Sequence, residues 1–148
     1  MILDEYTEFL DAGALNTGVA GNYFIGDVVD TENDGINDVD NLEFVVQVST
    51  AVLSAGAATV QFQLVSDAQA AIAVDGTATV HISTGAIPKA TLVAGYTACR
   101  VVLPRGTYER YLGVLQITGV AALTAGAINA FLTPQSTSWK AFPDADNT

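Results

Sequence analysis

The chain lacks most of the side chains on which enzyme chemistry is built. Its 148 residues include one cysteine and one histidine. A lone Cys99 cannot close an internal disulfide, and within an apolar run it reads as a small core side chain. The single histidine, His81, falls on the polar face of a strand-like segment. It offers no basis for a Ser-His-Asp set, a Cys–His pair or a His/Cys metal cluster, and no glycine-rich phosphate loop is present. The expectation is a protein that is not an enzyme and holds no cofactor beyond, at most, a calcium ion.

Charge is scarce as well, at 14% of residues against about 25% in ordinary soluble domains. A skin so poor in charge is explained if partners cover much of it. What charge there is has one sign over most of the chain. Residues 1–88 hold 13 acidic side chains and no Lys or Arg, residues 89–148 hold three acidic and five basic ones, and the net charge is −11. Such a field repels phosphate, which excludes nucleic acid as the expected partner. The opening Met1-Ile2-Leu3-Asp4-Glu5 has no basic n-region, so synthesis in the cytoplasm without a secretory signal is expected. Tyr111–Leu132 is uncharged and long enough for a bilayer, but Gln116, Asn129 and three glycines interrupt it and no basic cluster flanks it. No membrane span is expected there.

What the chain does have is alternation. In Thr59-Val60-Gln61-Phe62-Gln63-Leu64 the apolar residues share one face and the polar ones the other, and Thr77–Ser83 alternates in the same way. Phe44–Val48, Cys99–Leu103, Tyr111–Thr118, Ala127–Leu132 and Tyr23–Val29 are further strand candidates. Turn signals separate them at Asp34-Gly35, Asp75-Gly76, Ala94-Gly95 and Pro104-Arg105-Gly106. Many short strands with Gly-rich turns predict an all-β domain, a single antiparallel β-sandwich or a barrel. The expected layout is an N-terminal arm or short helix over 1–18, a β-sandwich over 19–134 and a tail over 135–148. Ile2, Leu3, Tyr6, Phe9 and Leu10 share one helical face, which is the case for a helix. Ala51–Ala57 and Ala121–Ala127 share Leu-Ser/Thr-Ala-Gly-Ala and predict two similar hairpins.

Two groups of residues are candidates for binding. Asp30-Thr-Glu32-Asn-Asp34-Gly35-Ile36-Asn-Asp38 sets oxygen ligands at alternate positions with a glycine for the bend, as calcium loops do. Asp30, Glu32, Asp34 and Asp38 are the candidate ligands, although the twelfth position is Asn41 and not a bidentate Glu. Arg100, Arg105 and Arg110 bracket a Pro-Gly turn, and Trp139 and Phe142 are aromatics in a polar tail. These five are the candidate partner contacts, because Arg pairs bidentately with carboxylates and buried aromatics anchor interfaces.

Several pieces, taken in order, resemble the capsid cement, or decoration, proteins of short-tailed bacteriophages. They are the opening Met1-Ile2-Leu3-Asp4, then Phe44-Val-Val-Gln-Val48 with the Ala-Gly-Ala turn and Val60-Gln-Phe-Gln-Leu64. Ala86-Ile-Pro-Lys-Ala-Thr-Leu-Val-Ala-Gly95, Arg100-Val-Val-Leu-Pro-Arg-Gly106, Arg110-Tyr111-Leu112 and Thr124-Ala-Gly126 follow. The resemblance covers about residues 1–133 and leaves out the 30–41 loop and the tail. It implies a jelly-roll-like sandwich with extended terminal arms on the outer surface of the virion capsid. It further implies the phage major capsid protein as partner and a homodimer or higher homo-oligomer on the shell. The competing classes are a calcium-dependent carbohydrate-binding or adhesin-type β-sandwich, a tail or head-completion protein and, more distantly, a hydrolase.

Overall fold

The computed structural model describes residues 5–32 and 42–134. After a 3-10 turn, Glu5–Thr7, the described residues form nine strands: β1 Glu8–Ala14, β2 Gly21–Asp30, β3 Leu42–Leu53, β4 Thr59–Asp67, β5 Thr79–Ser83, β6 Ile87–Pro88, β7 Thr97–Val102, β8 Tyr111–Gly119 and β9 Ala125–Pro134. One sheet has the order β1-β9-β3-β7. The other has the order β2-β8-β4-β5, with the short β6 also on β4. Every pairing is antiparallel. Successive main strands switch sheets at each step except from β4 to β5. Eight strands so ordered make the double-sheet jelly roll, and the all-β sandwich expected from the alternation is the fold.

The alternation of β4 sets its register. Val60, Phe62 and Leu64 are fully buried between the sheets, while Gln61 and Gln63 lie on the other face. Opposite them stand Phe44, Val46 and Val48 of β3 and Ile128, Ala130 and Leu132 of β9. Each such side chain contributes about 1.5–3 kcal/mol of burial, and a one-residue slip would turn the whole set to water. The outer face of the β2-β8-β4-β5 sheet carries a second, smaller cluster. There Val65 and Leu115 are covered by Ile72 and Ala78 of the 68–78 loop, with Phe24 and Val28 beside them. Gly113 permits this cover, since a Cβ there would stand 2.4 Å from Ile72 Cδ1 and 2.6 Å from Phe24 Cε2.

Three readings of the sequence are corrected. Residues 8–14 are not an arm or a helix but the edge strand β1, paired to β9, with Phe9 and Leu10 both in the core. Adjacent residues can both face inward because the register shifts between Glu8 and Gly13, with Ala12 at φ 47°. The two Leu-Ser/Thr-Ala-Gly-Ala copies are not hairpins. Each carries the chain from one sheet to the other, β3 to β4 and β8 to β9, and the two copies lie side by side. Thr124 N–H donates to Leu53 C=O at 2.8 Å, and the Ser54 hydroxyl to Ala122 C=O at 2.6 Å. The alternation of Thr77–Ser83 is broken by a shift between Leu64 and Val65, which leaves Val80 outside the core although Ala78 and Ile82 are buried. The uncharged stretch Tyr111–Leu132 is two strands in two sheets, and no helix of the described residues is long and apolar enough to cross a membrane.

Candidate functional site

The connections divide between the two ends of the sandwich, and the ends differ in chemistry. One end is built by residues 15–20, 54–58, 84–96 and 120–124. The other is built by loops 68–78 and 103–110 and by the turn after β2, of which Thr31 and Glu32 are described.

The second end holds four of the five predicted site residues that are described, Asp30, Glu32, Arg105 and Arg110, and three of them pair with one another. Arg110 Nε donates to Asp30 Oδ1 and its Nη2 to Asp30 Oδ2, both at 2.9 Å, and Nη1 lies 3.2 Å from Glu32 Oε2. The guanidinium also sits 5.1 Å from the centre of the Tyr111 ring. This two-pronged pairing with Asp30 raises the guanidinium pKa above its ordinary value. Two of the four expected calcium ligands therefore face a cation that belongs to the chain. Asp34 and Asp38 lie outside the described residues. Among the described residues no three His, Cys, Asp or Glu side chains gather as a metal site. Arg100 Nε lies 3.5 Å from Glu43 Oε2 across β7 and β3. Of the three arginines expected to contact a partner, two are engaged within the domain. Arg105 is exposed in the 103–110 loop and makes no ion pair with a described residue. Trp139 and Phe142 fall outside the described residues.

Sequence reasoning placed His81 on the polar face of a strand, and the fold gives it several partners there. Its ring stacks on Tyr108 at 4.1 Å between centres, and its Nε2 meets Ser66 Oγ at 2.7 Å. Glu109 N–H donates to the same hydroxyl at 3.2 Å, and the Glu109 carboxylate accepts from Thr79 Oγ1 at 2.7 Å. With one proton and two lone pairs, the Ser66 hydroxyl bonds Nε2 in either tautomer of the ring. Burial lowers the His81 pKa, against the opposing pull of Glu109. A serine–histidine contact suggests a nucleophile and its base, but Ser66 has 0% exposure. The pair cannot meet a substrate and serves to hold the 103–110 loop on the sheet. No sequence spacing announces it, because Ser66, His81 and Glu109 meet only through strand pairing. Asp67 and Asp75 are likewise turn-formers. Asp67 accepts from Gln69 N and Ala73 N, and Asp75 from Thr77 N and Oγ1, which holds both carboxyls below the ordinary value. Burial pushes the Cys99 thiol up to about 11, as suits an inert core side chain.

The first end is different. Gln116, fully buried in β8, reaches the connection between β1 and β2 with its amide. Its Oε1 accepts from Asn16 N at 2.8 Å, and its Nε2 donates to Asn16 O at 2.9 Å and to Thr118 Oγ1 at 2.8 Å. Lys89 Nζ donates to Ser54 O at 2.5 Å. This end also presents apolar side chains to solvent, Val19, Val93 and Val120 among them.

The order of the strands defines the class, a jelly-roll β-sandwich whose polar clusters brace its loops. A family model, Bbp16, matches residues 10–132, from β1 to β9, and the chain belongs to the Bbp16 family. No curated protein matches the chain.

Proposed function

We propose that the chain is a structural virion protein of a bacteriophage, which binds the outside of the capsid and cements neighbouring major capsid subunits. Membership of the Bbp16 family supports a phage structural protein at the coarser level. The observation that carries the finer reading is how the polar chemistry is used. Ser66–His81, Arg110–Asp30 and Gln116–Asn16 each tie a loop to the sandwich. A rigid body with firmly held loops and little surface charge suits a clamp that works by covering area. Of the segments that resemble cement proteins, Phe44–Val48, Val60–Leu64, Arg100–Val102 and Tyr111–Leu112 lie on the framework strands β3, β4, β7 and β8, while Ala86–Gly95 lies in the connection between β5 and β7. A clamp seated on several subunits gains from multivalency, so each contact can be weak while the whole is firm. Charge then orients more than it binds, since exposed ion pairs contribute about 0–1 kcal/mol each.

The test is to add the purified protein to heads of its phage that lack it, and to follow co-sedimentation and negative-stain images. Saturable decoration of the outer surface is expected. Heads that stay bare at saturating protein would remove the cement function.

A further inference from the structure

The two sheets have four edge strands, β1, β7, β2 and β5, and three of them are closed or broken. β1 and β2 lie against each other along one side of the sandwich. A Cβ on Gly26 there would stand 2.3 Å from the Phe9 carbonyl oxygen, and register shifts interrupt both strands. β5, on the other side, has five residues and a register shift opposite Leu64 and Val65. β7 is different. Cys99–Val102 pair with β3 without a shift, the strand contains no proline, and among the described residues no strand lies on its other side. Leu103 N–H donates to Leu42 C=O at 2.8 Å, in register with the pairing of Val102 and Glu43. Directly opposed antiparallel residues alternate between hydrogen-bonded and non-hydrogen-bonded pairs. Val101 and Cys99 therefore turn their N–H and C=O to β3, and Arg100 and Val102 turn theirs to the open side. An edge left in this state is a template for another strand.

We infer that β7 takes up an extended, acid-bearing segment of a capsid subunit as an added strand, a contact that rests on the cement function proposed above and gives it a place. Charge selects the occupant. Residues 84–108, which contain β7 and both its flanks, hold Lys89, Arg100 and Arg105 and no acidic side chain, in a chain of net charge −11. The open edge thus lies in the basic stretch of an acidic molecule, which favours acidic side chains on the strand it receives. Arg105 is exposed beside it and makes no ion pair with a described residue. β7 of a second copy does not meet this need, because it would set arginines against arginines. The acidic strands β1 and β2 of a second copy are committed to their own sandwich. Main-chain bonds to Arg100 and Val102 supply the attachment, and the side chains supply the choice of partner.

The test compares amide hydrogen exchange of the isolated protein with that of the protein bound to heads of its phage. The amides of Arg100 and Val102 should exchange freely in isolation and slow by roughly tenfold or more on heads. Val102→Pro removes an N–H turned away from β3, so it should keep the melting temperature and lower the affinity for heads by roughly tenfold or more. Arg105→Glu should weaken attachment by up to about fivefold, and by less at high salt. Heads that stay bare would remove the cement function and this contact with it. Decorated heads on which both amides still exchange freely would overturn the inference alone and leave the cement function standing. So would a folded Val102→Pro variant that binds heads as the wild type does. Protection of both amides already in the isolated protein would overturn it too, by assigning the edge to this chain or a second copy of it.

Discussion

At Gly113 a hydrogen atom decides whether a loop can lie down. Its Cα faces Ile72 and Phe24, and any Cβ would press on both. Gly113→Ala should cost about 1–3 kcal/mol by overpacking, read as a lower midpoint in urea unfolding. Gln116 acts through hydrogen bonds. Gln116→Leu keeps the volume but leaves the Asn16 N–H and C=O without their partners, and a loss of about 1–3 kcal/mol is expected in the same assay. His81 acts through its proton. Burial holds its folded pKa below the ordinary histidine value of about 6.5, so the unfolded chain binds the proton first. Its contribution is complete above about pH 6.5 and is lost as pH falls from there through the lower folded value. Unfolding free energies measured from about pH 8 down to about pH 5 should therefore fall less steeply for His81→Gln than for the wild type. Equal slopes would mean that the ring titrates alike in both states.

Among the elements, those with unbroken alternation were legible from the sequence. β4 follows its pattern residue by residue over 59–64, β3, β8 and β9 cover their expected segments and run longer, and β7 spans Thr97–Val102 where Cys99–Leu103 was expected. β5 shows what alternation cannot reveal, because the register shift opposite Val65 depends on the partner strand. β1 was hidden by a bulge that puts Phe9 and Leu10 on the same side, a spacing that imitates a helix. The repeated Leu-Ser/Thr-Ala-Gly-Ala was a true signal of similar connections, but one sequence does not say whether a turn stays in its sheet. The candidate site was less legible still. Arg110 was singled out for its chemistry, but its partners Asp30 and Glu32 were assigned to calcium. Only the pairing of β2 with β8 brings Asp30 beside Tyr111 and hence beside Arg110. Arg110→Lys should loosen that junction. The pair is part-exposed and screened by solvent, so the expected effect on global stability is small. Faster amide exchange at Thr31, whose N–H donates to Arg110 C=O at 2.9 Å, is the more sensitive readout.

The whole molecule joins a jelly roll to two unlike ends. The acidic end uses its charges to brace its own loops, and the connections of the other end hold one charged side chain, Lys89, beside the exposed Val19, Val93 and Val120. The tail, residues 135–148, follows β9 from the acidic end and holds Trp139 and Phe142. Deleting it should weaken attachment to heads while leaving the melting temperature of the domain unchanged. Full attachment with a lowered melting temperature would make the tail a staple of its own sandwich. The central claim is that the protein holds a capsid together, and the temperature at which heads release their DNA reads that most directly. Heads lacking the protein should open at a lower temperature than native heads, and adding the purified protein should restore the native value. If it decorates the heads and leaves the release temperature where it was, the protein binds the shell without cementing it.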